Sequence, residues 1–262
     1  MENDKLSAHS IRSLLKEDDY NIRVYDTVDS TNTMLKENAL ALPDKTIIVA
    51  KNQTAGRGSK GRSFQSPNTG IYFSILLKPD DISANESIMF TIIAAVAVSK
   101  SIEDITGKAV GIKWVNDIFM NNRKVCGILT EGSVTGGNLL QYAVVGIGIN
   151  ITRPKGGFDS SIEDIAGAIL PSGSDLNTVA CKLVASTVNY FFCYYSNFNK
   201  REYVREYREH LFILGQRIYL EEDNRQVLAT AVDIDDDCHL IVKTDNGDTK
   251  TLPFGEVSIR PI

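Results

Sequence analysis

Residues 51–62 are the segment of the chain whose residue types are best suited to holding an anion. The segment contains Lys51, Arg57, Lys60 and Arg62, together with three glycines and no acid. Glycines let backbone amides approach a ligand closely, and the arginine fork matches a carboxylate or a phosphate. The sequence therefore predicts a loop that binds an anionic ligand, with a solvated basic loop as the alternative.

Two glycine patterns resemble nucleotide-binding fingerprints but lack their other requirements. Residues 56–63 have Arg62 where a P-loop needs lysine, and a strand rather than a helix is predicted after them. The pair Gly146 and Gly148 lacks the third glycine and the helix of a dinucleotide-binding turn. We expect neither fold, but the pair predicts close backbone approach at a strand end.

Two further clusters could form a pocket. Lys113, Trp114, Asn116 and Asp117 stand at the end of a predicted strand, where a core tryptophan beside a turn is the alternative. Lys124 opens an apolar run, so its amine either neutralises a phosphoryl or acyl oxygen or lies on the surface.

Small polar residues occupy a predicted strand-to-helix junction at Asp29, Ser30, Thr31 and Asn32. They could cap the helix or supply donors and acceptors to a polar ligand. The three histidines and four cysteines have no metal-ligand, C-x-x-C or catalytic-triad spacing, so the sequence predicts no metal-ligating residues and no disulfides.

The composition sets the broad class of protein. The 262 residues are 43% hydrophobic and 23% charged, with a net charge of −5, which makes nucleic acid a poor first expectation. The N-terminus is polar, and the apolar run at 88–98 is too short to cross a bilayer. We expect a cytoplasmic protein that binds neither membrane nor nucleic acid.

Hydrophobic periodicity predicts a mixed α/β region followed by a run of short strands. Predicted strands are 22–28, 46–51, 70–78, 110–115, 123–131 and 140–149, and predicted helices are 6–16, 32–41, 86–106, 176–195 and 199–210. Asparagines and an aspartate at 116–122 predict a turn. Strands at 217–221, 226–234, 238–244, 248–252 and 256–259 predict a small barrel. We place domains at 1–213 and 214–262.

Taken in order and spacing, these motifs resemble the biotin protein ligases from about residue 20 to the C-terminus. The matching segments are Asp29–Asn32, Gln53–Gly58 with Gly61 and Arg62, Lys113 and Trp114 with Asn116 and Asp117, Arg123 and Lys124 with Gly127–Leu129, Gly146–Asn150, and Gly255–Arg260. The resemblance implies an α/β catalytic domain, with a mixed β-sheet flanked by helices, and a small C-terminal SH3-like β-barrel. About 20 residues precede the first core strand, so we expect no N-terminal DNA-binding domain.

The resemblance also implies an activity. Family members make biotinyl-5′-adenylate from biotin and ATP with Mg²⁺, and then transfer biotin to a lysine of a biotin carboxyl carrier protein domain. They occur as monomers and homodimers. A lipoate or octanoate ligase of the same fold, and a non-catalytic biotin-binding or docking module, are the alternatives. The Arg-rich Gly-Gly-Gly stretch with a following histidine that typifies the lipoate group is absent here.

The resemblance assigns roles by position. The implied catalytic residues are Lys124, Arg57 and Asp117. The implied biotin-binding residues are Ser30, Thr31, Asn32, Gln53, Gly56, Arg57, Gly58, Ser59, Lys124, Gly127 and Gly146. The implied ATP- and adenylate-binding residues are Arg57, Lys60, Arg62, Phe64, Lys113, Trp114, Asn116, Asp117, Asn150 and Arg260.

Three residues depart from the family pattern. Ser59 stands where the family often has arginine, and we hypothesise that Lys60 supplies the missing charge that retains the adenylate. Val115 replaces the usual proline beside the tryptophan, and Phe64 replaces a frequent tryptophan that could stack on adenine.

Overall fold

One seven-stranded mixed sheet forms the core of the N-terminal part of the computed structural model, which describes residues 5–222, 225–253 and 257–259. Its strands are β1 (Asn21–Val28), β2 (Thr46–Gln53), β3 (Gly70–Leu77), β4 (Gly111–Lys113), β5 (Asp117–Met120), β6 (Arg123–Val134) and β7 (Leu140–Asn150). Their spatial order is β1-β2-β3-β7-β6-β5-β4. Strands β1 and β2 are parallel, and the other neighbours are antiparallel.

Five α-helices accompany the sheet: α1 (Ala8–Arg12), α2 (Thr31–Asn38), α3 (Ile88–Thr106), α4 (Leu176–Tyr195) and α5 (Glu202–His210). Helices α3 and α4 cover one face, where Ile47, Phe73 and Val145 are part of the large core. Helix α2 lies on the opposite face, and its Leu35 is packed in a smaller core with Ile48. This division follows from the alternation of side chains along each strand.

The face under α2 is only partly covered by that helix. Beyond the small core, β3, β7 and β6 present Ser74, Gly146, Gly148 and Gly127 on the same face, in pairs set by the register Ser74↔Gly146 and Gly127↔Gly148. Because these side chains are small or missing, the sheet surface is depressed there. The fold therefore leaves a cleft in the sheet surface beside the N-terminus of α2.

Two boundaries differ from the sequence prediction in ways that matter. Residues 117–120, expected within a turn, form strand β5 instead, and the turn is confined to Asn121 and Asn122, which have φ values of 51° and 59°. The first helix also ends at Arg12 rather than at residue 16. The short β5 brings Asp117 opposite Lys113 on one side and Gly127 on the other.

The C-terminal part is a second, antiparallel sheet. Its strands are β8 (Arg217–Glu222), β9 (Arg225–Ile234), β10 (Leu240–Thr244), β11 (Thr249–Leu252) and β12 (Val257–Ile259), in the order β11-β10-β9-β8-β12. The predicted fold class is thereby confirmed. The predicted domain boundary falls in the connection between α5 and β8. Among the residues described, no helix has the length and apolar character needed to cross a membrane.

Candidate active site

A cleft on the α2 face of the large sheet brings most of the predicted site residues together. It has an empty volume of about 480 Å³, part of it open to solvent. It is lined by Ser30, Thr31, Asn32, Gln53, Arg57, Gly58, Ser59, Phe64, Asn116, Asp117, Lys124, Gly127, Ile128, Leu129, Gly146, Ile147 and Gly148. Segments far apart in sequence thus form one concave surface.

One end of the cleft is built on the first turn of α2 and is lined by uncharged polar side chains, with the Glu131 carboxylate behind Asn32. Ser30 caps the helix by accepting a hydrogen bond from the backbone of Thr33, and the Thr31 backbone donates to Gln53 Oε1 at 2.9 Å. Asn32 Nδ2 donates to the Leu129 carbonyl at 3.2 Å. Ser30, Thr31 and Asn32 are buried, so their hydrogen bonds fix their orientation.

Asn32 is held from three sides. Its Oδ1 lies 2.6 Å from the Ser74 hydroxyl, which also lies 2.7 Å from Thr31 Oγ1, and its Nδ2 donates to Glu131 Oε2 at 3.0 Å. A Cβ at Gly146 would lie 2.0 Å from Asn32 Oδ1. The position therefore requires glycine, because the Asn32 amide occupies the space that a side chain would take.

The middle of the cleft has glycines for its floor and Phe64 above them. A Cβ on Gly148 would lie 2.6 Å from the Phe64 ring, and a Cβ on Gly127 would lie 2.9 Å from it. The ring packs edge-on against Tyr72 with centroids 6.3 Å apart. Phe64 thus rests on bare backbone, which larger residues would not allow.

The glycine-rich segment forms a narrow, hydrogen-bonded loop. Gly58 donates to the Arg62 carbonyl at 2.7 Å, and Phe64 donates to the Gly56 carbonyl at 2.8 Å. Gly56 lies at the base of the loop, where a Cβ would come within 2.4 Å of the Phe64 carbonyl. Lys60 has a left-handed φ of 55°. This geometry turns Arg57 back over the cleft toward the sheet.

Lys124 reaches the cleft because β6 contains a β-bulge. Ile118 pairs with Cys126, whereas the next residue, Phe119, pairs with Lys124 and leaves Val125 without a partner in the register. Val125 and Cys126 both lie in the core. A bulge of this kind re-aims the side chain beside it, so Lys124 points to the cleft side.

The other end of the cleft carries charge. Lys124 Nζ lies 2.6 Å from Asp117 Oδ1, with both side chains more than 70% buried, and 6.0 Å from the Phe64 ring centroid. Lys113 lies opposite Asp117 on the neighbouring strand. Burial lowers the pKa of Lys113, the positive charges of Lys124 and Arg62 lower it further, and Asp117 opposes them. Such a cluster of cations around one carboxylate is suited to an anionic ligand.

Several predicted residues lie outside the lining. Asn150 is buried and donates to the Gly167 carbonyl at 3.0 Å. Trp114 is also buried, and its Nε1 donates at 2.9 Å to the Cys238 carbonyl in the connection between β9 and β10. Gly56, Lys60, Arg62 and Lys113 flank the cleft without lining it. Arg260 lies outside the described residues.

Two polar residues at the cleft have no place in the sequence prediction. Ser74 is the one small polar side chain within the apolar strand β3, and Glu131 follows the apolar run of β6. Burial by itself would raise the pKa of Glu131, but hydrogen bonds from Lys36 and Asn32 and the charges of Lys36 and Arg57 together lower it. An isolated polar residue in an apolar strand was the signal available for Ser74, whereas Glu131 lies between Thr130 and Gly132 and has no such signal.

The described residues contain no group of three or more histidine, cysteine, aspartate or glutamate side chains placed to hold a metal ion. The cleft itself offers a single carboxylate at its charged end, that of Asp117. Mg²⁺ prefers oxygen ligands and is often bound by one or two carboxylates together with substrate phosphates. The donor set therefore fits a magnesium ion that arrives with a polyphosphate.

Comparisons with known proteins agree with this architecture. Residues 24–150 match the model of the biotin/lipoate A/B protein ligase family, and residues 213–260 match that of the biotin protein ligase C-terminal domain. The chain is 36% identical over 169 residues to the bifunctional ligase/repressor BirA of Bacillus subtilis, which covers 63% of this chain and 51% of that protein. It thus spans about half the length of that curated relative.

Two more relatives extend the match. A biotin--[acetyl-CoA-carboxylase] ligase of Mycobacterium tuberculosis is 27% identical over 82% of this chain and 79% of its own. The structure of the Aquifex aeolicus biotin protein ligase in complex with biotin and ATP superposes with a TM-score of 0.73 and 26% identity, over 92% of this chain and 98% of that one. With both domain models matched in order, the chain belongs to the biotin protein ligase family.

Proposed function

We propose that the protein activates biotin with ATP to form biotinyl-5′-AMP and then transfers the biotinyl group to a lysine of a biotin carboxyl carrier protein domain. The observation that carries the proposal is a single cleft with a neutral hydrogen-bonding end at Asn32 and a charged end at Lys124 and Asp117. Biotin has a neutral ureido ring at one end and a carboxylate at the other. The relatives named as biotin ligases, one of them solved with biotin and ATP, support the same reading.

The neutral end would bind the ureido ring. A ureido group has one acceptor and two donors, so it needs donors and acceptors that are already fixed in place. Ser30, Thr31 and Asn32, which are buried, and Gln53, which is half-buried, offer both kinds in hydrogen-bonded positions. The bicyclic body would lie along the glycine floor at Gly146, where the backbone allows close approach.

The charged end would align the reacting groups. The biotin carboxylate oxygen attacks the α-phosphorus of ATP, the bond to the bridging oxygen breaks, and pyrophosphate leaves with the electron pair. Lys124 would lie against both anions and reduce their repulsion, while Asp117 holds the Lys124 amine in place. Arg57 would bind the adenylate phosphate from the loop. The acceptor lysine amine then attacks the acyl carbon, loses a proton and releases AMP.

Mg²⁺ would enter as the counterion of ATP and neutralise charge on the phosphates. Asp117, and the Asn116 side chain beside it, are the residues that would face it. The adenine would lie on the Phe64 side of the cleft, with Asn150 behind it. The residues that remain predicted to act on the nucleotide are Lys60, Arg62, Lys113, Trp114 and Arg260.

The alternatives fit the cleft less well. Lipoate and octanoate present an apolar end, which would leave the polar groups around Asn32 without ligand partners. A docking module would have no use for Lys124 and Asp117 paired inside a cleft. We further propose a cytoplasmic location, no binding to nucleic acid, and a monomeric or homodimeric state.

Biotin-dependent exchange of labelled pyrophosphate into ATP tests the proposal. The wild type should exchange with biotin and not with octanoate or lipoate. Lys124→Ala should lose about 10²–10³-fold of the rate, the usual cost of removing one electrostatic contact to the transition state. Lys182→Ala, an exposed lysine on α4, is the matched control and should exchange normally. Exchange supported by octanoate or lipoate would favour the first alternative, and exchange with none of the three the second.

A further inference from the structure

Glu131 connects three separate elements at the polar end of the cleft. Its carboxylate, on β6, accepts hydrogen bonds from Lys36 Nζ of α2 at 2.6 Å and from Asn32 Nδ2 at 3.0 Å. It also forms an ion pair with Arg57 of the glycine-rich loop, whose Nη2 lies 3.1 Å from Glu131 Oε1. Sheet, helix and loop therefore meet at one side chain, which is 17% exposed.

The contact with Arg57 has a direct consequence for the loop. Arg57 is 47% exposed, so burial alone does not hold its guanidinium in place. The ion pair with Glu131 draws this side chain across the cleft to the strand that forms the floor. One carboxylate shared by two cations also leaves net positive charge there, so Arg57 keeps its attraction for an anionic ligand.

We propose that Glu131 is a positioning residue that orients Asn32 and tethers Arg57, so that the glycine-rich loop closes over the first ligand. The inference rests on the proposed function for the identity of that ligand, biotin. Glu131 itself does not line the cleft, and it acts through the two residues that do.

Glu131→Gln separates the tether from the rest of the network. The glutamine side chain has nearly the same shape and keeps an oxygen that can accept from Asn32 Nδ2, but it loses the charge that attracts Arg57 and Lys36. Glu206→Gln is the matched control. Glu206, on α5 and away from the cleft, is a similarly buried acid whose carboxylate accepts hydrogen bonds from Lys100 and Tyr194.

The first measurement needs no ligand. Trypsin cleavage after Arg57 should be several-fold faster in Glu131→Gln than in the wild type, and unchanged in Glu206→Gln, with the cleaved fragments followed by mass spectrometry. Equal rates in all three proteins would overturn the tether. This readout decides the tether even if the wild type shows no exchange with biotin, a result that would refute the proposed function instead.

The second measurement is steady-state pyrophosphate exchange. Glu131→Gln should raise the KM for biotin about tenfold, because a charged hydrogen bond that positions the loop is lost, while the KM for ATP and kcat change by less than about threefold. In an Arg57→Ala background the same substitution should add little, since its partner is gone. An unchanged biotin KM, or fully additive effects in the double variant, would refute the positioning role.

Discussion

Gly146→Ala should damage the polar end of the cleft in a way that can be worked out from the geometry. The new methyl group would lie 2.0 Å from Asn32 Oδ1 and 2.7 Å from Asn32 Cγ. The amide cannot yield without loss, because it is bonded to Ser74, Leu129 and Glu131. Overpacking typically costs about 1–3 kcal/mol and each lost hydrogen bond about 1 kcal/mol, so we expect the free energy of unfolding to fall by about 2–4 kcal/mol.

Denaturant unfolding and pyrophosphate exchange together test this expectation. The KM for biotin should rise at least about tenfold. The KM for ATP should change little, because the charged end is untouched. Gly136→Ala is the control, since a Cβ there would have nothing within 4 Å. In an Asn32→Ala background the stability cost of the Gly146 substitution should shrink to below about 1 kcal/mol, because the clashing amide is gone. If the free energy of unfolding and the KM for biotin of Gly146→Ala both equal those of the wild type, the reasoning is refuted.

Two further predictions concern the tryptophan and the low-pKa lysine. Trp114→Phe leaves the Cys238 carbonyl without its donor and should lower the free energy of unfolding by about 1–3 kcal/mol, measured by urea titration; an unchanged midpoint would contradict it. Burial lowers the pKa of Lys113, so a bound polyphosphate should raise that pKa and make the protein take up protons in the alkaline range below the ordinary lysine pKa, which calorimetry in buffers of different ionisation enthalpy detects. Lys113→Gln should abolish this proton uptake. Equal uptake by the wild type and the variant would show that another group binds the proton, and would contradict the prediction.

Much of the fold is predictable from the sequence, because alternation and helical periodicity report burial directly. Helix α4 occupies the predicted 176–195, and β3 and β7 lie within a residue of their predicted bounds. Strand β5 was missed because four residues between turn-forming asparagines give too short a pattern. Its backbone pairs with both neighbours, and that tertiary pairing decides its conformation.

The site was predictable only where motifs are continuous in sequence. Residues 30–32 and Arg57 were found from their types, and the structure brings them together with Lys124. Ser74 and Glu131 were missed, because their importance depends on the register of β3, β7 and β6 with one another. The Asn32–Glu131 contact joins residues far apart in the chain, which no local spacing reports.

The β-bulge at Val125 explains how one strand serves both ends of the cleft. Glu131 follows Lys124 by an odd number of positions, seven, so strict alternation along β6 would place the two side chains on opposite faces of the sheet. The extra residue reverses the alternation once, so Lys124 meets Asp117 on the face where Glu131 meets Arg57. Without the bulge, the Lys124 amine would point into the apolar core beneath α3, where a charge is costly. The local irregularity therefore lets one strand place Lys124 and Glu131 on the same face of the sheet, beside the same cleft.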